Sequence, residues 1–192
     1  DNLSDSIFRK LKLKPRKRDL KEWRRFVSGV KRSTKPVRIG IVGKYFSTGD
    51  FVLTDAYISV IEAVKHAAYA NRRKPVIEWL SAEEFNPRDS KRYDGIIVPG
   101  GFGTRGIEEK IAVIKYCREH KIPYLGLCYG MQLAVIEFAR SVARIKNATT
   151  TEVDVDALDP VIDIMPEQKK NLIKKKYGAT MRLGAYPAVL KK

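Results

Sequence analysis

The chain has 192 residues, 44% of them hydrophobic and 31% charged, with 38 Lys/Arg against 22 Asp/Glu and a formal charge of +16. This suffices for one domain with a real core and an appendage. It excludes a membrane span, because the longest apolar run, Ile122 to Ile136, is short and contains Pro, two Gly and Gln. Two cysteines make no disulfide framework, and their spacing fits no zinc site. Residues 1–38 hold 14 basic against 4 acidic side chains, residues 169–192 hold 8 against none, and the stretch between holds 16 against 18. A nucleic-acid binder usually carries its basic stripe on the folded domain. Charge confined to the ends points instead to solvated faces or an acidic partner surface. No signal peptide is visible, so reducing cytosol is the expected compartment. A chain beginning at Asp1 rather than Met reads as a piece of something longer.

In chain order, Lys21 to Val27 predicts a basic amphipathic helix closed by Gly29, and Ser33-Thr34-Lys35-Pro36 a linker end. Residues 1–35 are therefore expected to form a basic linker with an amphipathic helix, and residues 36–192 the folded domain. Val37 to Val42 is a first strand. Gly43-Lys44 after it lacks the further glycine of a dinucleotide fingerprint and the rest of a P-loop, and reads as a turn. Thr54 caps a helix from Asp55 to about Ala70, with Ala56, Val60, Ala63, Val64 and Ala67 on one side. Pro75 to Leu80 is a second strand. Asp94 to Val98 is a third, whose apolar run suits a central parallel position. Ile107, Ile111, Ile114 and Cys117 fall at helical spacing. Ile122 to Leu127 reads as a short buried strand and Met131 to Arg140 as a helix without breakers. Beyond Ser141 only short strands are indicated, Val161 to Met165 and Thr180 to Leu183. Strands alternating with helices imply an α/β fold: a doubly wound, mostly parallel sheet with flanking helices, and sites at the strands' carboxyl ends.

The chemistry concentrates in Gly126-Leu127-Cys128-Tyr129-Gly130, where one thiol sits between two glycines as strand turns to helix. A side chain on so sharp a turn stands above the sheet, at the helix end where negative charge on sulfur is favoured. This is a nucleophile elbow with Cys in place of Ser; the alternative is a structural, buried Cys. Pro99-Gly100-Gly101-Phe102-Gly103-Thr104-Arg105-Gly106 closes the third strand with four glycines in eight residues. If the two strands are neighbours, an N–H near Gly101 and that of Tyr129 could form an oxyanion hole; otherwise the loop is a surface loop or a phosphate cradle. A Cys nucleophile needs a base, yet the chain has only His66 and His120. His66 reads as a surface residue. His120 lies roughly 25 Å away along the elbow strand at ~3.3 Å per residue, beyond hydrogen-bond reach.

These residues resemble the class I (triad-type) glutamine amidotransferases: the elbow through Met131-Gln132, the Pro99 to Gly103 loop, and the order of strands. Further matches narrow the resemblance to the CTP synthase branch of that family. They are Gly43-Lys44-Tyr45, Asp55-Ala56-Tyr57 with Ser59-Val60-Ile61-Glu62-Ala63, Asn147, Thr150-Thr151-Glu152, Pro160-Val161-Ile162-Asp163, Met165-Pro166-Glu167-Gln168 and Thr180-Met181-Arg182-Leu183-Gly184. The resemblance implies a flavodoxin-like fold and a linker, Leu11 to Val27, joining a synthetase domain to a glutaminase domain.

By the same resemblance, Cys128 attacks the carboxamide of L-glutamine. Gly101 contacts glutamine and holds the oxyanion, Tyr129, Gly130, Met131 and Gln132 line the glutamine pocket, and Glu152 binds its α-amino group. No metal or cofactor is expected in this domain. ATP and magnesium belong to a synthetase domain of the same polypeptide that aminates UTP to CTP, with GTP as effector and a homo-oligomer, a tetramer, as the whole enzyme. The family's catalytic His and Glu lie in a His-x-Glu segment beyond Met-Arg-Leu-Gly, and the domain is expected to lack that C-terminal part. The loop Phe46 to Thr54 is longer than the family's. Two other readings stand beside this one: the glutaminase of another biosynthetic synthetase, and a catalytically incomplete amidotransferase-like module that regulates or docks a partner.

Overall fold

A computed structural model of the chain describes residues 3–14, 19–43, 57–101 and 106–165. Four parallel strands form the central sheet in the order β2-β1-β3-β4: β1 is Pro36–Gly43, β2 Lys74–Ser81, β3 Gly95–Val98 and β4 Tyr124–Gly126. Stepping outward from β1 on both sides is the doubly wound, flavodoxin-like order, which places ligand sites at the carboxyl edge where the winding reverses. β3 is buried along its whole length, as its run of Gly95-Ile96-Ile97-Val98 requires of a strand covered on both faces.

Helices cover the two faces unequally. On one side lie α4 (Ile107–Glu119) and α5 (Tyr129–Ser141), packed on Val42, Ile96 and Val98 through Ile111, Ile114, Cys117, Leu133 and Ile136. On the other lies α3 (Ile58–Ala70), whose Val60 and Val64 meet a smaller cluster around Ile41 and Ile97. An apolar cleft of about 700 Å3 separates part of α3 from β3 and β4. A second, parallel two-stranded sheet of β5 (Ala148–Thr150) and β6 (Asp159–Ile162) lies against α5. Arg140 fastens it, donating from Nε to the Ala148 carbonyl at 2.7 Å and from Nη1 to both Glu108 oxygens at 2.9 Å. Among the described residues, no helix is long and apolar enough to cross a membrane.

Several expectations need correction. The elbow strand is not buried: β4 is the outer strand of the described sheet, and Leu125 is 52% exposed beside the apolar cleft. Gly29 does not close the second helix. Helix α2 runs Lys21–Arg32, the Ser33 hydroxyl donates to the Gly29 carbonyl at 2.9 Å, and the strand starting at Pro36 sets the stop. Gly43 is the last residue of β1, paired with Ser81, and not part of a turn. Helix α5 begins at Tyr129, two residues earlier than expected. The strand expected at Val161 to Met165 runs Asp159–Ile162. A further helix, α1 (Leu3–Lys10), precedes α2, and neither buries a residue. Thr54, Asp55, Ala56, Lys44 and the strand expected at Thr180 to Leu183 lie outside the described residues.

Candidate active site

The elbow is built from backbone contacts that only small residues permit. Leu127 donates its N–H to the Val98 carbonyl at 3.0 Å, carrying the β3–β4 register to the end of both strands. Cys128 then takes φ 51° and ψ −108°, a strained, left-handed φ for a residue with a Cβ. The chain folds back at once into α5, the Met131 and Gln132 amides donating to the Cys128 carbonyl at 3.1 and 3.2 Å. A Cβ on Gly126 would stand 2.5 Å from the Gly130 carbonyl carbon and the Met131 nitrogen, and one on Gly130 would overlap the Val98 carbonyl oxygen. Both glycines are therefore required by close approach. The Tyr124 hydroxyl donates to the Gly130 carbonyl at 2.8 Å, tying strand to first helical turn.

The outcome for the two thiols is opposite. Cys117 is fully buried in the α4–sheet core, and burial pushes its thiol up, out of the range where it ionises readily. Cys128 is exposed at the start of α5. Strained backbone, exposure and a place at a helix amino terminus set the second apart from the first.

The glycine-rich loop lies beside it. A Cβ on Gly100 would be 3.4 Å from the Cys128 Cβ and 3.8 Å from Sγ, so the end of β3 runs against Cys128; Gly101, half-buried, has open space around its Cα. On the opposite face the Tyr57 hydroxyl reaches the Gly100 carbonyl at 3.4 Å. Phe102 to Arg105 lie outside the described residues.

The remaining predicted site residues divide. Met131 is exposed and Gln132 half-buried at the start of α5. Glu152 follows β5 on the surface, its N–H donating to the Thr150 hydroxyl at 3.2 Å. Its charge reaches Tyr129, whose phenol is pushed up first by burial and then by Glu152. Glu152 and the elbow are thus brought together. Tyr129 does not line an open pocket with its side chain: the ring is 2% exposed, packed in the core with Val98, Ile107 and Leu133. Gly130 likewise faces the Val98 carbonyl. The turn that lifts Cys128 rotates the next two residues inward.

His66 lies on the exposed side of α3 with its ring edge-on to Phe26, centroids 6.3 Å apart. His120 ends α4 near the amino end of β4, stacked 3.8 Å from the Tyr116 ring. Neither faces the sulfur.

A family model, glutamine amidotransferase class-I, matches residues 52–189. The chain belongs to this family. Among relatives of this class-I amidotransferase, the CTP synthase of Pyrococcus furiosus is 47% identical over 195 residues, which cover all of this chain and 35% of that protein. The CTP synthase of Caldanaerobacter subterraneus is 51% identical over 189 residues, covering 96% of this chain and 34% of that protein. The chain thus spans about a third of the length of the relatives it matches. A solved structure of the Trypanosoma brucei CTP synthase glutaminase domain with bound acivicin superposes with a TM-score of 0.61 at 35% identity, covering 68% of this chain and 50% of that one. In this class-I amidotransferase, the hydroxyls of Tyr57 and Tyr124 bond the Gly100 and Gly130 carbonyls beside Cys128, contacts that the sequence alone does not reveal. The only available signal was Tyr57 following Asp55-Ala56 in a matched motif.

Proposed function

We propose that the chain is the glutamine-hydrolysing part of a CTP synthase, with Cys128 as the nucleophile. The observation that carries this reading is the exposed, strained Cys128 with the Gly100–Gly101 backbone laid against it, in a chain whose relatives are CTP synthases over its whole length. Sγ attacks the side-chain carboxamide carbon of glutamine, and the oxygen takes up negative charge beside the backbone amides of the loop and the helix start. Collapse of the tetrahedral species expels ammonia and leaves a γ-glutamyl thioester, which water hydrolyses to glutamate. Glu152 suits the α-ammonium group of the substrate by charge. The proton acceptor for the thiol comes from outside the described residues, since His66 and His120 both face away.

Ammonia released here serves a synthetase domain of the same polypeptide, where ATP and magnesium support amination of UTP. GTP stimulation, a tetrameric assembly and a cytoplasmic location complete the reading. The test uses the full-length protein. Cys128→Ala should abolish glutamine-dependent CTP formation while ammonia-dependent formation persists. Retention of glutamine-dependent activity by that variant would refute the assignment.

A further inference from the structure

The direction of a single peptide group decides whether the Gly100–Gly101 segment can stabilise an oxyanion. In a trans peptide the C=O and the following N–H point in opposite directions, so whatever captures the Gly100 oxygen also aims the Gly101 hydrogen. What captures it is Tyr57, whose hydroxyl lies 3.4 Å from that oxygen.

The two faces of the sheet give that contact a direction. Tyr57 belongs to the α3 side, packed on Ile41, Ile97 and Trp79, with its ring 6.2 Å from the Trp79 ring. Cys128 heads α5, which covers the other side with Leu133 and Ile136 against Val98. A carbonyl drawn towards Tyr57 leaves its partner N–H directed to the α5 side, where Sγ lies 3.8 Å from the Cβ position of Gly100. With no side chain at 100 or 101, neither residue by itself favours one orientation of this peptide over its reverse. The Tyr57 hydroxyl supplies such a preference.

We propose that Tyr57 is a positioning residue for glutamine hydrolysis: its hydroxyl, donated to the Gly100 carbonyl, turns the Gly101 N–H towards the oxygen that becomes negative when Cys128 attacks. The contact is longer than the 2.5–3.0 Å usual for O–H···O, and catalytic hydrogen bonds commonly tighten in the complex with substrate. This inference rests on the glutaminase reading above.

The test is Tyr57→Phe in the full-length protein, which keeps the ring against Trp79 and removes only the donor. Losing an oxyanion donor outright costs on the order of 10²–10³ in kcat. A donor retained but no longer aimed should cost less, about tenfold, with KM for glutamine within twofold. A chloroketone analogue of glutamine, whose ketone oxygen occupies the same hole, should react with Cys128 about tenfold more slowly. Iodoacetamide, which alkylates by direct displacement and develops no oxyanion, should react at the wild-type rate, and ammonia-dependent product formation should not change. Wild-type kcat in Tyr57→Phe would overturn the proposal, as would an equal slowing towards iodoacetamide, which would mean a damaged elbow. Cys128→Ala in the same assay separates the two ideas. If it still hydrolyses glutamine the glutaminase reading fails; if it is dead while Tyr57→Phe is fully active, only the role of Tyr57 fails.

Discussion

The clamp between α4 and α5 makes a stability prediction that the geometry quantifies. Glu137, on the helix that Cys128 heads, is 1% exposed and pairs with α4. Arg118, in the last turn of α4, donates to it from Nε at 2.9 and 3.2 Å and from Nη2 at 2.8 Å. Burial works to raise the Glu137 carboxyl, but hydrogen bonds from Arg118 and Ser141 and the charges of Arg118 and Lys115 prevail and hold it below the usual carboxylate range. Removing one partner of a buried pair costs about 3–5 kcal/mol. Because Arg118 is 34% exposed and Ser141 and Lys115 stay near the carboxylate, Arg118→Met should fall at the lower edge, about 3 kcal/mol. Glu137→Gln keeps shape and an acceptor, and the Arg118 charge it leaves is partly solvated, so about 1–2 kcal/mol is expected. A carboxyl whose folded pKa is depressed contributes stability that is complete above its unfolded pKa, about 4.3, and is lost as pH falls through the folded value. Urea denaturation followed by circular dichroism should therefore show wild type above Glu137→Gln by a constant margin from pH 8 to pH 6. The margin should narrow below about pH 4.3. A smaller cost for Arg118→Met than for Glu137→Gln, or a margin that does not narrow in acid, would refute this account of the clamp.

Two more outcomes follow from the elbow. In the native protein, iodoacetamide should modify Cys128 and spare the fully buried Cys117 until denaturant is added; peptide mass spectrometry reads this directly, and equal labelling would contradict the placement of both thiols. Gly130→Ala puts a methyl group into the Val98 carbonyl, so it should cost about 1–3 kcal/mol of overpacking and displace the start of α5. Unchanged urea stability would show that the helix start does not sit against β3 as described.

The strands at the centre of the sheet are legible in the sequence because burial on both faces demands an unbroken apolar run, and Gly95 to Val98 has no other use for one. The same signal misleads at β4. Ile122 to Leu127 is just as apolar, yet Leu125 opens on the cleft beside α3, since hydrophobicity reports what a strand can bury and not how many neighbours cover it. Gly29 fails as a stop signal for a related reason. Its cost in a helix interior is only about 1 kcal/mol, and the Ser33 hydroxyl on its carbonyl offsets much of that.

The turn at Cys128 belongs to the legible part, because its main elements are adjacent in the chain: two glycines, a strand before and a helix after. Its surroundings are assembled over distance. Tyr57 meets Gly100 across 43 residues, and Glu152 reaches Tyr129 only because β5 packs on α5 under the hold of Arg140. Local pattern carries no trace of either meeting, since a tyrosine that packs on a tryptophan and one that also steers a peptide look the same in one dimension. In the α/β architecture the exposed sulfur is thus written into one turn, whereas the groups around it are set by which strands become neighbours. The Val98↔Gly126 pairing of β3 with β4 is what turns a glycine-rich loop and a cysteine, 27 residues apart, into a single site.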